Sequence, residues 1–248
     1  MQLKTFHNQT IEENTMRDYR IQKLCAWSGV ATFLLFFGAF GAAKFVLPPG
    51  PWLTQEQVVA MYQQNTTEIR IGMSMALISC MFFAPFVGVI SAQMRRMEGM
   101  GPTLSYTQMA AGGGGVAAFF FGAVIFLVTA FRPDRPPELT YLMNDFSWIG
   151  LIIIWPPFFM QQIAVGIAII KDTRAKPVMP RWVAYLSFWT AISYLPTTML
   201  SFFKAGPFAW NGVLALYIPS ACFISWYVVM AVMLSKAVDQ EKLEAASA

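Results

Sequence analysis

The sequence predicts an all-α integral membrane protein: a bundle of six transmembrane helices with the N and C termini both cytoplasmic. Three observations carry that expectation. Hydrophobic residues make up 56% of the 248 residues and charged residues 12%, about half the charged share of an ordinary soluble domain. Six charge-free stretches reach the roughly 20 residues that a helix needs to cross a bilayer core. The Lys and Arg side chains alternate between rich and poor connections, the pattern that sets membrane orientation.

The stretches divide the chain into a polar arm (1–23), a membrane domain (24–235) and a polar tail (236–248). The expected spans are 24–43, 71–94, the apolar part of 99–131, 146–170, 182–203, and the apolar part of 205–235 from Val213 on. The long polar arm argues against a cleaved signal at span 1, despite Ala39, Gly41 and Ala43. With Lys4, Arg17, Arg20 and Lys23 of the arm placed inside, twelve Lys and Arg fall on the inner side. Five fall outside: Lys44, Arg70, Arg132, Arg135 and Lys204. The net charge of +4 is thus a topology signal, and no nucleic-acid partner is expected.

The connections follow. Pro48, Pro49 and Pro51 are expected to stop span 1, because proline cannot continue the helical ladder. Thr54-Gln55-Glu56-Gln57 reads as a capping box. Val58, Val59, Tyr62 and Ile69 behind it predict a short amphipathic helix, lying on the outer face or running into span 2. Trp27, Trp52, Trp148, Trp182, Trp210 and Tyr185 sit near span ends, as an interfacial belt does. Cys25, Cys80 and Cys222 form no close pair and read as small apolar groups. Asn8-Gln9-Thr10 and Asn65-Thr66-Thr67 are chance-level matches to a glycosylation triplet. No internal repeat is visible, which disfavours a repeat-built transporter.

Four features stand out inside the membrane domain. Gly112, Gly113, Gly114 and Gly115 open span 3 and predict close helix packing, or else a slot for a flat apolar ligand. Pro156-Pro157 predicts a kink in span 4, with Gln161 and Gln162 one turn on and facing protein or water. In span 5, Thr190, Ser193, Thr197 and Ser201 share one face of a helix, flanked by Tyr194 and Thr198 and interrupted by Pro196. These hydroxyls are either packing glue or, with the two glutamines, the lining of a ligand cavity. Lys44, Arg70, Arg132 and Lys204 end their spans on the outer side, as snorkelling residues or as a basic rim for an anionic head group.

The exclusions are equally informative. The single histidine, His7, lies in the arm, so no span offers an axial haem ligand or a histidine-rich di-iron site. No Asp, Glu, Lys or Arg falls mid-span, where coupled transporters place ionisable groups. Met94, Met97 and Met100 are regularly spaced, but the two adjacent arginines argue against a copper path. No metal site, no cofactor and no catalytic residue is expected.

Several segments carry a resemblance. They are Leu47-Pro48-Pro49, Asn65 through Gly72, Ser91-Ala92-Gln93-Met94-Arg95-Arg96-Met97-Glu98, Phe131-Arg132-Pro133 and Phe203 through Gly212. Together they resemble a group of bacterial inner-membrane proteins of unassigned activity. The resemblance implies a bacterial plasma membrane and six helices, and brings no functional residue with it.

Three function classes follow, in this order. The first is a non-catalytic subunit or assembly partner of a larger membrane complex, with other membrane subunits or a second copy of the chain as partner. The second is a binder or carrier of an apolar or amphipathic small molecule or lipid. The third is a membrane enzyme on a lipid-like substrate, which would need Arg70, Asp145 and Lys204 to converge.

Overall fold

The structure, a computed structural model, describes the backbone of residues 2–97 and 101–247 and the side chains of residues 18–97 and 101–247. Lys4, His7, the Asn8-Gln9-Thr10 triplet, Arg17 and Met100 lie outside the described side chains.

The long helix α1 (Gln2–Ala42) is stopped by its own C-terminal geometry. Lys44 adopts a left-handed φ of 62°, and the Phe45 N–H donates back to the Phe40 carbonyl at 2.8 Å. This is a Schellman-type ending. The prolines at 48, 49 and 51 therefore follow the stop and do not cause it. Thr54 then caps α2 (Gln55–Gln64) with the full reciprocal box: the Gln57 N–H donates to Thr54 and the Gln57 side chain accepts from the Thr54 N–H. Asn65 separates α2 from α3 (Thr66–Ser79), and α2 lies against α6.

A single 3-10 turn, Cys80–Phe82, joins α3 to α4 (Phe83–Met94). The helix α5 (Thr103–Phe131) runs unbroken. The expected span 4 is interrupted, not merely kinked: α6 (Pro137–Ile152) ends, residues 153–155 leave the helix, and α7 (Pro156–Lys171) starts afresh. The cause is local, since Pro156 and Pro157 have no N–H for the carbonyls of Ile152 and Ile153.

The chain is all-helical among the described residues, and five helical stretches are long and apolar enough to cross a membrane. They are Asp18–Ala42, Thr66–Met94, Thr103–Phe131, Pro137–Lys171 and Val213–Ser247. The stretch expected as span 5 has a different form. The helix α8 (Arg181–Ile192) gives way at Ser193 to a 3-10 helix, Leu195–Phe202. Pro196 removes the donor that the Ile192 carbonyl would have used, and the Tyr194 N–H turns to Ala191 one residue nearer. After a turn at 203–212, a π-helical segment, Val213–Tyr217, leads into α9 (Ile218–Ser247).

In the packing, α1 lies against α3, α4 and α9, while α5 lies against α3, α4, α6 and α7. The helices α1 and α3 approach closely. A Cβ on Gly72 would sit 2.4 Å from the Ala39 carbonyl oxygen. The four-glycine run divides in use. Gly112 and Gly115 would meet Val87 at 2.6 Å and Phe158 at 2.4 Å, Gly114 has ordinary contact distance to Pro157, and Gly113 opens on nothing.

Residues at like ends of the helices meet. At the Arg96 end, Lys23 pairs with Asp239 at 2.5 Å and Arg96 with Glu244 at 2.8 Å. At the Trp52 end, Arg70 reaches the last carbonyls of α5, and the Trp210 N–H donates to the Pro49 carbonyl at 2.7 Å. The aromatic belt needs one correction. Trp27, Trp52, Trp182 and Tyr185 are exposed, but Trp148 and Trp210 are buried in the protein. Trp148 packs among Phe45 and Phe126.

Candidate functional site

The restart of the helix at Pro156 turns Gln161 and Gln162 inward, and both are fully buried. Gln162 Nε2 donates to the Tyr194 hydroxyl at 2.5 Å, and Thr190 Oγ1 donates to Gln162 Oε1 at 2.8 Å. Tyr227 donates to Gln161 Oε1 at 3.0 Å, while Gln161 Nε2 has no partner among the described residues. The Trp226 indole donates to Ser187 at 2.8 Å. This network binds α7 to α8 and α9 in the apolar interior, where each unpaired polar group costs several kcal/mol.

Beside the network lies a cavity of about 330 Å3, at the lower end of the roughly 300–1,000 Å3 range of small-molecule sites. Its first wall is Phe36, Phe37 and Phe40 of α1, continued by Phe45, Val46 and Pro48. A second wall is Trp148, Leu151 and Ile152 of α6 with Ile154, Trp155 and Phe158 across the break. Phe119 of α5 lies between them. The far wall is Tyr194 and Thr197, with Ala215, Leu216 and Tyr217 of the π-helical segment and Pro219, Ser220 and Phe223 of α9. Eleven of the 21 lining residues are aromatic, and none is Asp, Glu, Lys, Arg or His. Phe37, Val46 and Tyr217 on the lining are exposed on the outside of the protein, so the cavity opens sideways between α1 and the π-helical segment.

The expected lining residues are distributed as follows. Tyr194 and Thr197 line the cavity. Gln161, Gln162 and Thr190 stand behind it, with Gln162 holding the Tyr194 hydroxyl. Ser193 is half-buried and donates to the Thr190 carbonyl, and Ser201 is exposed. The four hydroxyls do not share a face, because the change from 3.6 to 3.0 residues per turn after Ile192 rotates Thr197 and Ser201 relative to Thr190.

At the Trp52 end Lys44, Arg70, Arg132 and Lys204 are exposed, and Arg135 is half-buried. The Arg70 guanidinium donates to the carbonyls of Ala130 and Phe131 at 3.0–3.2 Å, the favourable place for a cation at a helix C-terminus. Arg132 lies over the Phe131 ring, 5.9 Å from its centre. Lys44 ends α1, and Lys204 follows the 3-10 helix.

Sequence reasoning missed two groups. The aromatic wall on α1 was legible as Phe33, Phe36, Phe37 and Phe40, spaced i, i+3, i+4 and i+7. The other group is the ion cluster at the Arg96 end. Glu244 accepts from Arg96, Arg174 and Gln240, each at 2.8 Å. Gln93 donates to Gln22 and Glu241. Glu244 lies beyond Ser235, where the apolar part of α9 ends, and Gln240 and the two guanidiniums hold its carboxyl down at about 2. Counted as topology signals, Arg96 and Arg174 also tie α4 and the 172–180 connection to the end of α9.

The chain matches no protein-family model, and comparison with curated proteins and with solved structures finds no similar one.

Proposed function

We propose that the chain is a six-span protein of the bacterial plasma membrane, with both ends cytoplasmic, that binds an apolar or amphipathic small molecule in the aromatic cavity. The observation that carries this reading is a convergence. The break at 153–155, the 3-10 helix and the π-helical segment all abut the same cavity. Irregular backbone at membrane depth is tolerated where it is buried in protein or lines a cavity, and interrupted helices mark the binding sites of many transporters. A π-helix within a span is likewise a mark of functional sites.

The α8 and 3-10 segments together extend roughly 35 Å at their respective rises, enough for a sixth crossing. The twelve-to-five division of Lys and Arg supports a cytoplasmic Arg96 end. Purification in mild detergent followed by mass spectrometry of lipids and proteins tests the reading. One small molecule per chain, lost in Ser220→Trp, is the expected result.

A second reading, a subunit of a larger membrane complex, draws on α5. Gly113 there opens on nothing, and Phe120 and Phe121 on the same helix are exposed. A stoichiometric partner protein with no bound small molecule would replace the first reading by this one.

A further inference from the structure

We infer that the occupant is a neutral molecule with a flat ring that carries oxygen acceptors, its tail leaving through the gap between α1 and the π-helical segment. This rests on the cavity's being a binding site, as proposed above, and adds the ligand's chemistry.

The walls select for a ring. Eleven of the 21 lining residues are aromatic, against 15% of the whole chain. An acyl chain is served equally well by Leu, Ile and Val. Aromatic faces gain further from another flat π-system, through offset stacking and edge contacts. The volume of about 330 Å3 holds a ring and leaves a long tail outside. The exposed side chains at the mouth, Phe37, Val46 and Tyr217, are what a lipid-embedded tail would pass.

The walls also select for neutrality. A quaternary ammonium can sit in an aromatic cage, but no carboxylate is among the lining residues. A cation there would be taken out of water with no counter-charge, which is costly.

Finally, the walls offer donors. The hydroxyls of Ser187, Ser225 and Ser235 bond back to their own helix one turn earlier. The Ser220 hydroxyl, on the cavity wall, has no acceptor among the described residues, and neither has the Trp155 indole N–H. The Trp148 indole N–H is buried without an acceptor as well. A ligand bearing carbonyl oxygens supplies what Ser220 and Trp155 lack, and carbonyl-bearing rings of the quinone class combine all three properties.

Quenching of tryptophan fluorescence in detergent tests this with three probes. They are 2-methyl-1,4-naphthoquinone, a phosphatidylcholine with brominated acyl chains, and benzyltrimethylammonium as a competitor. Saturable quenching by the quinone at one per chain, not displaced by the cation, is expected. Ser220→Ala should weaken it about threefold to tenfold, the worth of one hydrogen bond, and Ser220→Thr should restore it. Size-exclusion profile and helical content, matched to the wild type, exclude misfolding. Saturable binding of the brominated lipid without the quinone would overturn the inference and leave the binding site standing. Displacement by the cation would overturn neutrality, and unchanged quinone affinity in Ser220→Ala would overturn the donor. Saturable binding of none of the three would overturn the cavity reading itself.

Discussion

Thr197 Oγ1 donates to the carbonyl of Ala215 at 3.1 Å, and Ala215 lies in the π-helical segment that leads into α9. One hydroxyl thus ties two irregular segments together across the wall of the cavity. The 3-10 helix and the π-helical segment are joined at that point. Thr197→Val keeps the shape and loses the bond, so it should lower stability by about 1 kcal/mol. Thr197→Ser should stay near wild type. Thermal unfolding of both variants in one detergent checks the difference.

The glutamine network makes a non-additive prediction. Tyr194→Phe leaves Gln162 Nε2 buried without an acceptor, a cost of about 1–3 kcal/mol. Adding Gln162→Met to Tyr194→Phe removes the orphaned amide. The Thr190 hydroxyl proton, released from Gln162 Oε1, can then go to the Leu186 carbonyl at 2.9 Å. The double variant should therefore be more stable than Tyr194→Phe alone, and a double-mutant cycle measures the coupling.

Glu244 sets a pH dependence at the Arg96 end. Its folded carboxyl is held at about 2, below its ordinary 4.5, so the unfolded chain takes up the proton first as pH falls. The stabilisation is complete above about pH 4.5 and is lost progressively toward pH 2. Unfolding midpoints measured at pH 7, 4.5 and 3 at low salt should fall more in the wild type than in Glu244→Gln. High salt should narrow the gap, because the side chain is 37% exposed and screened.

Two glycines give opposite outcomes. In Gly72→Ala the new methyl meets backbone, the Ala39 carbonyl, at 2.4 Å, and no side chain can rotate away. A loss of about 3 kcal/mol or more is expected from separating α1 and α3. Gly113→Ala meets nothing within 4 Å and should be neutral or raise stability by up to about 1 kcal/mol through helix propensity. Should α5 dock a partner helix through Gly113, the same variant would instead weaken that assembly, which native gel electrophoresis reads out.

Composition and the spacing of charges were enough to read the helical class, the position of five apolar stretches and the capping box at Thr54. These depend on residues near one another in the chain and on the medium around them. A run of about 20 apolar residues has few alternatives to a helix in lipid, whatever its neighbours. The prolines at 156, 157 and 196 were equally plain as disturbances of the ladder.

Tertiary structure decided what those disturbances became. It turned the expected kink into a break, split the hydroxyl face after Ile192, and buried Trp148 and Trp210 within the protein. It also brought residues 36–48, 148–158, 194–197 and 215–223 around one cavity. The break and the split face start locally, at the prolines, but the burial of the two tryptophans and the assembly of the cavity depend on which distant groups fill a gap. The Ala215 carbonyl shows the reason. Pro219 marks a disturbance of the ladder in the sequence, but only the fold brings Thr197, eighteen residues earlier in the chain, to the Ala215 carbonyl.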